Sequence, residues 1–127
     1  MKLRQCLALA AALLCSRAAL ALNIQPFDAA GFAQAQAAGQ VTALQFHSGW
    51  CPICVLQERG IKELRDGKSL DRVTVFVADF LKETELRQRY NITTFATLVI
   101  FHGTAEKARA VGEFQAEKLK QYFDKAL

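Results

Sequence analysis

Phe46-His47-Ser48-Gly49-Trp50-Cys51-Pro52-Ile53-Cys54 is the stretch that decides how this chain is read. It begins at the end of an apolar run, Val41 to Phe46, whose β-branched and aromatic members predict a short buried strand. Beyond it, Val55, Ile61 and Leu64 recur at helical intervals, and Gln57, Glu58, Lys62 and Glu63 are assigned to the opposite, solvent face. Two cysteines with two residues between them therefore sit between a strand and a helix, with Cys51 at the helix N-terminus. Unpaired backbone N–H groups and the helix dipole favour a thiolate there. Cys51 is the expected attacking sulfur, and Cys54, one turn on, is placed to resolve a mixed disulfide. Pro52 costs the helix little, because early helical positions need no intrahelical N–H partner. Trp50 adds a flat apolar surface beside the sulfur.

The same spacing also serves zinc. A closed structural zinc site takes four ligands, and the other soft candidates are His47 and His102. A metal-binding or metal-delivery module would thus use Cys51, Cys54 and His47. An inert disulfide across so short a loop would stabilise the chain little. A binding domain that keeps both cysteines but turns over weakly is the remaining alternative. A redox-active dithiol suits the strand–CxxC–helix context best.

Working outward, Pro26-Phe27-Asp28 reads as a helix start capped by Asp28, and Gly39 ends that helix. Val73 to Ala78 is a second buried strand, closed by Asp79. Glu83 to Tyr90 alternates acidic and basic residues around Leu86, a solvent-facing helix. Thr97 to Phe101 is a third strand, His102-Gly103-Thr104-Ala105 a turn, and Arg109 to Gly112 a fourth strand antiparallel to the third. Ala116 to Leu127 is an amphipathic helix with Leu119, Tyr122 and Phe123 on one face. The order α-β-α-β-α-β-β-α predicts an α/β fold: a central mixed four-stranded sheet flanked by helices, with parallel pairs and a late antiparallel edge. Phe46, Phe76 and Phe101 are core candidates.

The N-terminus carries a different signal. Lys2 and Arg4 precede an apolar run from Cys6 to Leu14, and the small-residue pattern Ala19-Leu20-Ala21 follows. That is the pattern of a secretory signal peptide, with cleavage expected after Ala21. Arg17 interrupts the run before it reaches the ~20 residues of a membrane span. Residues 1–21 are therefore read as a signal peptide and 22–127 as one domain, periplasmic or secreted. Without Lys2, Arg4 and Arg17, the net charge falls from +4 to +1 and the cysteines from four to two. That balance favours neither nucleic acid nor an anionic membrane surface as a partner.

The segment from Phe46 to Cys54 resembles the active-site region of the thioredoxin superfamily. So does the register of Tyr90-Asn91-Ile92-Thr93-Thr94-Phe95-Ala96-Thr97-Leu98-Val99-Ile100-Phe101 with Val111-Gly112-Glu113-Phe114 and the last helix. The resemblance spans residues 24 to 127. It implies a thioredoxin-like fold and disulfide exchange with substrate proteins or small thiols through transient mixed disulfides, which the signal-peptide pattern places outside the cytoplasm. It also implies a redox partner, no bound cofactor and a monomer. Trp50, Pro52, Ile53, Phe95 and Ala96 would then contact substrate. Pro52 is closer to glutaredoxins and exported oxidoreductases than to thioredoxin, which has Gly-Pro between its cysteines. Two positions depart from the family. Its cis-proline is replaced by Ala96, and since a cis bond before a non-proline residue costs about 2.5–4 kcal/mol, a trans Phe95–Ala96 bond and an altered loop are expected. The family's buried aspartate is replaced by Gln45, which cannot act as a base at neutral pH, so slower resolution by Cys54 is expected.

Overall fold

The computed structural model describes residues 21–127, so the signal-peptide reading of the first twenty lies outside the described residues. The elements run β1 (Asn23–Pro26), α1 (Ala29–Ala37), β2 (Val41–His47), α2 (Pro52–Asp66), β3 (Val73–Asp79), α3 (Thr84–Tyr90), β4 (Thr97–His102), β5 (Ala105–Val111) and α4 (Ala116–Asp124). They form one mixed sheet in the order β1-β3-β2-β4-β5. The expected α/β architecture is present, with one strand more than the sequence suggested.

The extra strand is β1. Its four residues, Asn23-Ile24-Gln25-Pro26, lack apolar alternation, and Pro26 argues against a ladder position. They pair in parallel with β3, from Asn23 opposite Thr74 to Pro26 opposite Val77. An edge strand tolerates proline because one side of its backbone needs no partner in the sheet. Pro26 thus ends a strand and does not begin a helix. Asp28 caps α1 as expected, its carboxylate accepting from the Gly31 N–H at 3.0 Å.

β2 lies parallel to β3 but antiparallel to β4, which is antiparallel to β5. The antiparallel part of the sheet therefore spans β2–β4–β5 and is not confined to the last hairpin. The connection from β3 to β4, which carries the seven residues of α3, therefore does not return the chain along the sheet.

Strand alternation divides the core into two layers. On one face Ala43, Val75, Leu98 and Ile100 meet Ile61 and Leu64 of α2 and Leu119 and Phe123 of α4. On the other, Leu44, Phe46, Phe76 and Phe101 pack with Phe32 of α1 and Leu86 of α3. Each fully buried Leu, Ile or Phe contributes roughly 1.5–3 kcal/mol of hydrophobic stabilisation. Gly60 sets how closely α2 and α4 approach, because a Cβ there would collide with the Phe114 carbonyl oxygen. His102 is structural: its Nδ1 lies 2.7 Å from the Ala126 carbonyl and ties β4 to the end of the chain.

Candidate functional site

β2 ends at His47, and residues 48–50 carry the chain to Cys51, the N-cap of α2. The Cys51 N–H donates to the Ser48 carbonyl at 3.2 Å, and Pro52 takes the first helical position. Cys51 Sγ accepts the Cys54 N–H at 3.3 Å. A sulfur here is a helix cap, pairing an N–H that would otherwise be left without a partner. Both thiols are free. Cys51 keeps 8 % exposure and Cys54 is wholly buried, so of the two cysteines Cys51 is the one nearer to solvent.

Burial pushes the Cys54 thiol up from 9.0 to about 11. Its hydrogen bond with Cys51 acts in the same direction, as does the charge of Cys51, while the backbones of Ser48 and Ala96 act in the opposite one. Cys54 is therefore a neutral thiol at neutral pH.

Ala96 closes the site from the other side, packed against both cysteines with Phe95 beside it. The described residues contain no cis peptide bond, and Ala96 adopts φ +56°. A left-handed alanine costs about 1–2 kcal/mol. Three hydrogen bonds offset this, each contributing about 1 kcal/mol. The Ala96 N–H donates to the Phe46 carbonyl at 3.0 Å, and the Ala96 carbonyl accepts from the Gly112 N–H at 3.0 Å and from Gln57 Nε2 at 2.9 Å.

Around the sulfur lies an apolar rim. Trp50 is 67 % exposed and Ile53 more than a third exposed. Phe95 is half-buried, its ring 4.9 Å from that of Trp50 and 4.0 Å from that of Phe80. The Arg87 guanidinium lies 4.3 Å from the centre of the Phe80 ring. Arg87 thus departs from the expected solvated charge face of α3 and covers an aromatic row that leads to the cysteines.

His47 turns toward α2. Its Nε2 is 3.6 Å from Glu58 Oε2, and Glu58 is held by Lys62 at 2.8 Å. Among the described residues, no three His, Cys, Asp or Glu side chains gather around a common point. The alternative set Cys51, Cys54 and His47 is therefore not brought together. The structure does unite Cys51, Cys54, Ala96 and Phe95, with the Trp50 ring edge-to-face against Phe95.

Two assignments on α2 change. Val55 is exposed, and Gln57, placed on the solvent face from the sequence, is wholly buried. The buried stripe is Cys54, Gln57, Gly60, Ile61 and Leu64. The spacing was there to be read: Gln57 stands three residues after Cys54 and four before Ile61, on the inward side of the helix. Its polarity concealed it.

A sequence model of the thioredoxin family matches residues 23–125. The chain belongs to the thioredoxin family. It is 32 % identical over 82 residues to a thioredoxin of Mycoplasma genitalium, an alignment covering 64 % of this chain and 78 % of that one. The fold is similar to that of Trxlp from Edwardsiella tarda, with a TM-score of 0.75 and 27 % identity over 80 % of this chain and 98 % of that one. It is also similar to that of a mutant thioredoxin from Halobacterium salinarum, with a TM-score of 0.70 and 18 % identity over 86 % and 94 % of the two chains. Thioredoxin-family proteins are thiol–disulfide oxidoreductases that act on substrate proteins through mixed disulfides.

Proposed function

We propose that this thioredoxin-family protein exchanges disulfides with protein or small thiols outside the cytoplasm, with Cys51 as nucleophile and Cys54 as resolving thiol. The observation that carries the reading is the unequal placement of the two sulfurs. Cys51 caps α2 with a small part of it exposed, and Cys54 is wholly buried one turn behind it with its proton retained.

In the reducing direction, the Cys51 thiolate attacks one sulfur of a substrate disulfide. A Cys51–substrate S–S bond forms, the substrate S–S bond breaks, and the displaced sulfur leaves as a thiolate that takes up a proton. Cys54 then gives up its proton to solvent and attacks Cys51 Sγ, forming the Cys51–Cys54 disulfide and releasing the second substrate thiolate. Two electrons pass from the dithiol to the substrate. Oxidation of a substrate dithiol is the same path reversed. Trp50, Ile53 and Phe95 supply an apolar rim on which an extended segment next to the substrate disulfide can rest. Pro52 fixes the first helical turn beneath it. A dedicated redox partner regenerates the starting form.

Export is supported by the basic residues Lys2 and Arg4, the apolar run that follows and the Ala19-Leu20-Ala21 pattern. The experiment is to incubate the reduced Cys54→Ser variant with a protein disulfide substrate. A stable mixed disulfide through Cys51, with substrate turnover by the intact protein, supports the reading. Absence of both exchange and trapping at Cys51 overturns it. Cell fractionation and N-terminal sequencing of the expressed full chain test the location.

A further inference from the structure

Thiol exchange between the two cysteines does not account for the burial of Gln57. Gln57 is wholly enclosed, yet it is an amide on an apolar helix stripe. Its Nε2 donates to the Ala96 carbonyl at 2.9 Å and to the Glu113 carbonyl at 3.0 Å. These carbonyls belong to the loop before β4 and to the turn after β5. One amide on α2, the helix that carries both cysteines, thus fastens two chain segments that meet at the site. Ala96 in turn packs directly on Cys51 and Cys54.

We propose that Gln57 is a positioning residue for the resolving step, fixing left-handed Ala96 and the adjoining loop against Cys54. This assignment rests on the disulfide-exchange reading. Proline would lock its own φ near −65° without help. Ala96 has no such internal constraint, and its φ of +56° is one that alanine avoids. The constraint must come from outside the residue. The Phe46 carbonyl and the Gly112 N–H supply part of it through backbone bonds. Gln57 supplies the only side-chain bond to Ala96 among the described residues. A loosened Ala96 would withdraw its backbone from Cys54, and that backbone favours the Cys54 thiolate. The thiolate is the form that attacks the mixed disulfide. Attack by Cys51 on a substrate does not depend on this support, because the Cys51 sulfur is capped within its own helix.

The titratable groups around the site are few. Cys51 is on α2, and His47 on β2 is engaged with Glu58 and Lys62 of α2. The Glu113 carboxylate, after β5, accepts from the Phe114 and Gln115 N–H groups. Thr94, Phe95 and Ala96 before β4 bring none.

The test follows formation and decay of a mixed disulfide between the reduced full chain and a small aromatic disulfide, by stopped-flow absorbance across pH 6 to 10. Gln57→Met keeps the length of the side chain and removes the donor. The expected result is formation within twofold of the parent rate, decay slower by about fivefold, the effect of losing the bond to Ala96, and a decay profile moved to higher pH. Equal slowing of both steps, or no change in either, overturns the assignment. Should Gln57→Met fail to fold, Gln57→Leu, which also removes the donor, is read the same way. The parent protein is the control for the underlying reading. If it forms no mixed disulfide, disulfide exchange itself fails. If it does and the variants match it, only the role of Gln57 fails.

Discussion

The Ala96 N–H donates to the Phe46 carbonyl at 3.0 Å, a bond that proline at position 96 could not make. The family's proline and this chain's alanine are therefore two different solutions for the loop facing the cysteines. Ala96→Pro, which restores the family residue, should destabilise the protein. It removes that hydrogen bond and demands φ near −65° where the backbone has +56°. The expected loss is about 2–4 kcal/mol by urea denaturation. Ala96→Gly, which accepts the left-handed conformation freely, should change stability by no more than about 1 kcal/mol. A proline variant as stable as the parent would show that Phe46 does not hold this loop.

Cys54 makes the reduced protein sensitive to alkali. Burial, followed by the hydrogen bond and charge of Cys51, pushes its thiol from 9.0 to about 11. Above pH 9 the unfolded chain loses this proton and the folded chain keeps it. The folded state then binds more protons, and stability falls as pH rises. The contribution is fully present below pH 9 and declines through pH 11, by on the order of 2 kcal/mol at most. Denaturation of the reduced protein from pH 8 to 11 should show this decline, and reduced Cys54→Ala should show a flatter curve. Parallel curves for the two would remove Cys54 as the cause.

The central strands and the cysteine pair were legible because their signals are strong and local. Val41–His47, Val73–Asp79 and Thr97–His102 are predominantly apolar, and Cys51 lies where a strand gives way to a helix. Asp28, Leu119 and Phe123 likewise took the places their patterns predicted. The missed features depend on contacts distant in sequence. β1 owes its existence to pairing with β3 about fifty positions away, and its composition gives no hint of a strand. Gln57 was set outside because amides are usually solvated, although its interval from Cys54 and Ile61 placed it inside. Gln45 is also wholly buried, on the sheet face that α2 covers, and neither amide atom has a partner among the described residues. Its burial followed from its place in β2.

The contact between α2 and α4 can be tested at one atom. Gly60 has no room for a Cβ, which would strike the Phe114 carbonyl oxygen and come within 3.0 Å of Leu119 Cδ1. Alanine is the better helix former by about 1 kcal/mol, so on an exposed helix Gly60→Ala would be stabilising. Here the obstruction includes backbone, and α4 must shift. Overpacking of this kind costs about 1–3 kcal/mol beyond the propensity gain. A lower melting temperature with retained helical circular dichroism is the expected result. A raised melting temperature would mean that α4 sits farther from α2 than described.

Trp50 and Phe95 touch each other but should respond differently to truncation. Phe95 is held between Trp50 and Phe80, with Arg87 over the Phe80 ring. Phe95→Ala opens that stack and should cost roughly 2 kcal/mol of stability. Trp50 is 67 % exposed and supports little of the fold, so Trp50→Ala should change stability by less than about 0.5 kcal/mol. An exposed aromatic beside a reactive sulfur is placed to meet a partner, and its loss should raise KM for a protein disulfide by about fivefold, equivalent to roughly 1 kcal/mol. Exchange with a small aliphatic disulfide, which has little to rest on the indole, should be nearly unchanged. Equal losses with the small and the protein disulfide would place Trp50 in support of Cys51 itself, not in substrate docking.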